Sequence, residues 1–178
     1  MFPVVLTSDH AVLLLAIAAI CFECVMIGFV VVGRARTKVF TEEFMNTHFH
    51  ETHFTHTHET IKKGGYPDMG NGRYSEKLSY KDWLHINNAQ RAHYNFVEQI
   101  TPTVVMLLIG GIIYPIPAAA FGWTYFVARI FYCFYASEKG ASHPLRRVGA
   151  LLGDIPILGA FILSVMSCAH LFNTGTAQ

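Results

Sequence analysis

Gln90-Arg91-Ala92-His93-Tyr94-Asn95-Phe96-Val97-Glu98 lies where a polar helix start runs into a long apolar segment. With 3.6 residues per turn, Asn87, Arg91, Asn95 and Glu98 share one face, which predicts a polar stripe on a helix about to enter lipid. Charge at membrane depth is costly, so such residues face a bundle interior or a wet cavity and by default mark a functional site. A plainer account of the same stripe is an arginine–glutamate pair that only fixes helix packing.

Composition supports the membrane setting. The chain has 178 residues, 52% hydrophobic and only 14% charged, where a soluble domain carries nearer a quarter. Four segments are long enough for a hydrocarbon core of about 30 Å, which takes roughly 20 helical residues. The expected fold is therefore all-α: one integral-membrane four-helix bundle over residues 1–178. Its transmembrane helices fall at about 10–34, 81–114, 117–137 and 146–172, with a long extramembrane loop at about 39–80.

Of 13 lysines and arginines, eight lie between Arg34 and Lys81 and three more at Lys139, Arg146 and Arg147. The first and third connections are thus expected on the cytosolic side and both termini on the other. A net charge of +1 gives no reason to expect nucleic acid. Without a basic n-region, and with an apolar run too long for a signal peptide, the first helix is expected to be retained. Ser8-Asp9 is the expected cap of that helix.

Glu23 interrupts the first span and should mark its bundle-facing side. Cys21-Phe22-Glu23-Cys24 has C-x-x-C spacing but no βαβ context, so buried small apolar residues are expected rather than a redox pair. The connection holds five histidines, His48, His50, His53, His56 and His58, together with Phe49, Phe54, Tyr66, Tyr74 and Tyr80. Imidazoles bind zinc, nickel or copper, but H-E-x-x-H fails because Phe54 stands where the second histidine belongs, and no metal site is expected. The Gly64–Arg73 stretch reads as turns. At some 40 residues the connection is long for a helix-to-helix link and should be functional, disordered or docked on something. Tyr114-Pro115-Ile116-Pro117 reads as a tight hairpin.

Gln90-Arg91-Ala92-His93-x-Asn95-x-x-Glu98 resembles the signature of the MAPEG family, the membrane-associated proteins of eicosanoid and glutathione metabolism. It is most similar to the microsomal glutathione S-transferase 3 branch. Val32-Gly33-Arg34-Ala35-Arg36-x-Lys38 is similar to the end of helix 1 there, and Ala128-Arg129-Ile130-Phe131-Tyr132 to the family's Arg-x-x-Tyr block. The family's second tyrosine position is Ala136 here, with Tyr135 one residue before it.

The resemblance implies glutathione as co-substrate, bound by Arg34 or Arg36, Arg91, Asn95, Glu98, Arg129 and Tyr132. Glu98 would hold the γ-glutamyl ammonium, and Arg146, favoured over Arg147, would activate the thiol. Arg129 on its own needs a counterpart, either Glu98 or a bound anion. The implied activity is a glutathione transferase and peroxidase acting on hydrophobic electrophiles or lipid hydroperoxides. The implied setting is a homotrimer among membrane lipid, in the endoplasmic reticulum or a mitochondrial membrane. The alternative is a non-catalytic scaffold, or an accessory subunit recruited with other membrane subunits to an organellar complex.

Overall fold

The computed structural model describes residues 5–65 and 68–175. The chain folds as α1 (Ser8–Ile27), α2 (Gly33–Val39), α3 (Glu42–Thr57), α4 (Tyr80–Gly111), α5 (Pro115–Tyr132) and α6 (Pro144–Gly175). A π turn at Gly28–Val32 joins α1 to α2. The two helices thereby form one 32-residue rod over Ser8–Val39. Gly28 opens that turn where the His93 ring packs close: a Cβ there would lie 3.0 Å from His93 Nε2. Among the described residues two segments, Ser8–Val39 and Pro144–Thr174, are long and apolar enough to cross a membrane.

Leu13, Ile17, Ile20, Cys24 and Ile27 repeat at three- and four-residue spacing on α1 and meet Phe96 and Leu107 of α4. Ala118, Ala119 and Tyr125 of α5 and Ala160 and Leu163 of α6 complete this core. Small residues set the distances between helices, as helices in lipid require. A Cβ on Gly122 would come within 3.1 Å of the Ala16 Cβ, and one on Gly110 within 3.2 Å of the Ser164 nitrogen. The hydroxyl of Ser167 donates to the Gly110 carbonyl at 2.9 Å, a bond from α6 to α4 that water does not contest. The outward faces stay apolar: Phe22, Phe29, Leu151, Leu158 and Phe161 are all more than half exposed. Such a surface suits lipid or a neighbouring membrane subunit.

The first helix starts one residue earlier than expected. Thr7 is the N-cap, and its N–H donates to His10 Nδ1 at 3.2 Å. The hairpin at Tyr114 follows from Pro115 at the first position of α5, where the missing N–H costs nothing.

The largest departure lies in the connection, which is not a loop throughout. Thr41 Oγ1 accepts from the Phe44 N–H at 3.2 Å, Glu42 and Glu43 occupy the first turn, and α3 runs to a left-handed cap at His58. Met45 and Phe49 of α3 pack with Val39, Phe40, Ile61 and Ile86 into a second core. The Gly64–Arg73 turns follow, apart from Tyr66 and Pro67, which lie outside the described residues. Among the described residues no three histidine, cysteine, aspartate or glutamate side chains group as a metal site.

Candidate functional site

Arg129 sits near the end of α5 at 3% exposure. Its Nη1 donates to Asn95 Oδ1 at 2.8 Å and to Gln99 Oε1 at 3.3 Å, and its Nη2 to the Ala92 carbonyl at 3.4 Å. The guanidinium carbon lies 4.5 Å from the centre of the Phe96 ring and 4.4 Å from that of Tyr132. Three oxygens and two aromatic faces thus take the place of water around a cation that would otherwise be very costly to bury.

Of the two counterparts expected for Arg129, Glu98 is not its partner. Glu98 instead pairs with Arg91 at 3.4 Å, both side chains about half exposed. Asn95 and Gln99, four residues apart on α4, reach Arg129, whereas Arg91 and Glu98 stand at the exposed edge of the same polar face. Glu23 is buried, as expected of a bundle-facing residue, and neither of its carboxylate oxygens has a hydrogen-bond partner.

Arg146, in the first turn of α6, donates from Nη2 to the Tyr132 hydroxyl at 3.3 Å. Its guanidinium carbon is 5.0 Å from the centre of the Tyr132 ring and 5.2 Å from that of Tyr135. Gly149 makes this approach possible, since the backbone of α5 would lie 2.4 Å from a Cβ there. Asn95, Arg129, Tyr132 and Arg146 therefore converge on one cavity of about 170 Å³, which Gln99, Gly153 and Asp154 also line. Sites for whole drug-sized ligands run to about 300–1,000 Å³, so this cavity holds only one end of such a molecule.

Beside it an apolar groove of about 490 Å³ runs between α4 and α6. Gln99 and Asp154 line both spaces, so they stand at the passage from the polar cavity to the apolar groove. Sequence reasoning assigned neither residue a role. The signal for Gln99 was its four-residue spacing from Asn95, and for Asp154 its eight-residue spacing from Arg146.

The helix 1 arginines are not brought to this cavity. Arg36 turns to the connection: Nε donates to the Gly64 carbonyl at 3.1 Å and Nη2 to that of Gly65 at 3.2 Å. A further bond reaches the Asp68 carbonyl, so Arg36 is a clamp on the chain rather than a free ligand. Arg34 is exposed on α2.

The site thus presents one buried and one half-buried guanidinium group and a phenol next to an apolar channel. Such a set holds an anion at the edge of a hydrophobic space. No curated protein and no solved structure matches the chain. The family model of MAPEG matches residues 12–166, a span that includes every residue of this cavity, and the chain belongs to the MAPEG family.

Proposed function

We propose that this integral-membrane protein is a glutathione transferase and peroxidase of the microsomal glutathione S-transferase 3 type. The carrying observation is the cavity in which Arg129 and Arg146 flank Tyr132 at the mouth of an apolar groove. α4 and α5 would complete a four-span bundle. Subunits would assemble as a homotrimer in the endoplasmic reticulum or a mitochondrial membrane, the outward apolar faces meeting lipid and one another. Arg34, exposed on α2, is the helix 1 arginine still available to a neighbouring site. Arg91, Asn95 and Glu98 would hold the peptide.

Glutathione brings a thiol with an ordinary pKa of about 8.5. Holding it as thiolate at neutral pH means a shift of roughly two units, about 2.7 kcal/mol, within reach of one desolvated guanidinium. Arg146 is assigned that task, with the Tyr132 hydroxyl beside it. In conjugation the sulfur lone pair forms the new C–S bond while the electrophile's leaving group departs with its electron pair. In peroxide reduction the thiolate attacks the outer oxygen of a lipid hydroperoxide and the O–O bond breaks. The alkoxide takes a proton, and a second glutathione resolves the sulfenic acid to disulfide and water. Both hydrophobic substrates enter from lipid through the α4–α6 groove.

The test is rapid mixing of detergent-purified protein with glutathione, following the ultraviolet band of the thiolate, with Arg146→Ala alongside. A thiolate signal in wild type that the variant loses is the expected result. Its absence from wild type sinks the activating site. It would favour the second reading, an accessory or scaffold subunit, for which the packed connection and the exposed Phe54 of α3 offer a surface.

A further inference from the structure

A groove of about 420 Å³ lies between the end of α2, the start of α4 and the turn that follows α5. Lys38, Lys81, Asp82, His85, Asn88 and Glu138 line it, and it shares no lining residue with the cavity of Arg129 and Arg146. Packing fixes its walls. Val39 and Phe40, next to Lys38, belong to the same second core as Ile86, next to His85. Asn88, 8% exposed, donates from Nδ2 to the Ser137 carbonyl at 3.2 Å and so holds the turn that carries Glu138 beside α4.

The charges of the lining are mixed and do not cancel in place. Two ammonium groups and two carboxylates stand in the groove, yet among the described residues none of the four is in an ion pair. Asp82 Oδ2 accepts from the Ser79 hydroxyl at 2.7 Å within the cap of α4, so Glu138 is the carboxylate free to turn to a ligand. A ligand that matches such a lining carries both signs a few bonds apart. Lys38 and Lys81 suit a phosphate, with a ring N–H of His85 alongside, and the carboxylates suit a cation.

The groove also lies at a membrane boundary. Lys38 is in the last turn of the Ser8–Val39 rod, which is long and apolar enough to cross a membrane. Tyr80 and Trp83, in the first turn of α4, stack with ring centres 5.7 Å apart and are both exposed. Aromatic side chains of this kind seat at the level of lipid headgroups.

We propose that this groove binds the headgroup of a phospholipid with a primary ammonium, a phosphatidylethanolamine. Its phosphate sits between Lys38 and Lys81, its ammonium donates to Glu138 and Asp82, and its acyl chains stay in the bilayer. A choline headgroup fits less well, because its quaternary ammonium has no N–H to donate and is recognised by aromatic faces. Among the described residues no phenylalanine, tyrosine or tryptophan lines the groove. A glycerol headgroup leaves both carboxylates without a counterpart.

Native mass spectrometry of the delipidated full-length protein tests this, with phosphatidylethanolamine, phosphatidylcholine and phosphatidylglycerol of equal chain length titrated in detergent. Wild type should hold phosphatidylethanolamine about threefold to tenfold more tightly than either of the others, as expected of one exposed charge-assisted contact. Glu138→Gln and Lys81→Gln alter exposed side chains and should leave the fold intact. Glu138→Gln should abolish the preference, whereas Lys81→Gln should weaken phosphatidylethanolamine and phosphatidylglycerol alike, since both carry the phosphate. The proposal is overturned if wild type binds the three lipids equally, if Glu138→Gln keeps the preference, or if Lys81→Gln leaves both lipids unchanged. Soluble phosphoethanolamine should compete only weakly; binding as tight as that of the lipid would give the site to a free phosphoamine and overturn the assignment to lipid.

Discussion

Arg129 on α5 donates to Asn95 on α4 at 2.8 Å, a bond made inside the bundle by a cation with no bonded carboxylate. A buried guanidinium solvated by amide and carbonyl oxygens depends on all of them at once, because each lost contact leaves charge without solvation. Arg129→Lys keeps the charge but cannot reach Asn95, Gln99 and Ala92 together, and it gives up stacking between Phe96 and Tyr132. The expected cost is about 1–3 kcal/mol, which lowers the midpoint of thermal unfolding in detergent by roughly 2–10 °C. An unchanged midpoint would show that the amide contacts contribute nothing net.

A steric prediction separates close packing from polar chemistry. At Gly149 a Cβ would lie 2.4 Å from the Tyr132 nitrogen and 2.8 Å from the Ala128 carbonyl oxygen, both backbone atoms of α5 that cannot step aside. At Gly153, one turn on, the nearest atom is the Ala128 Cβ at 3.7 Å, an ordinary contact. Gly149→Ala should push α6 outward, lengthen the Arg146–Tyr132 contact and abolish the thiolate signal, although no polar atom is altered. Gly153→Ala should retain the signal. Equal behaviour of the two variants in the mixing experiment would refute this account of how Arg146 is positioned.

Much of this was legible in the chain. The polar stripe from Asn87 to Glu98 and the Arg129–Tyr132 pair are periodic patterns, and side chains carry them. The clamp by Arg36 was hidden because its partners are the carbonyls of Gly64, Gly65 and Asp68, and a carbonyl has no residue identity. The helix α3 was hidden for another reason. Histidine and threonine are mediocre helix formers, and what holds α3 is contact of Met45 and Phe49 with Phe40, Ile61 and Ile86, set by tertiary placement. Glu98 does not reach Arg129 while Gln99, the next residue, does, because on a helix one residue turns a side chain by about 100°.

Arg91 and Arg146 should divide the kinetics between them. On the proposed function Arg91, which is exposed, would contribute binding alike in ground and transition states, so Arg91→Ala should raise the KM for glutathione about tenfold with kcat little changed. On the proposed function Arg146 would keep the sulfur as the reactive thiolate, so Arg146→Ala should lower kcat by more than it moves KM. Steady-state turnover with a lipid hydroperoxide and varied glutathione reads both effects. The same KM in wild type and Arg91→Ala would remove Arg91 from the site.

The last prediction concerns Asp68, which lies in the connection. Burial pushes its carboxyl pKa up, but the N–H groups of Ser75 and Gly70, the Ser75 hydroxyl and the Gly72 N–H outweigh that and hold it below the usual carboxylate range. A carboxyl depressed on folding contributes stability that is fully present above its unfolded value of about 3.9 and is lost as pH falls through the folded value. The turn at 68–75 should therefore be equally firm at neutral pH and near pH 5, and loosen only in stronger acid. Asp68→Asn places an N–H where an acceptor is needed, at a cost of about 1–3 kcal/mol at every pH. Hydrogen exchange at the Gly70, Gly72 and Ser75 amides, corrected for the intrinsic rate, should show protection that is flat across that range in wild type and reduced throughout in Asp68→Asn. Wild-type protection in the variant would mean that Asp68 does not hold the turn.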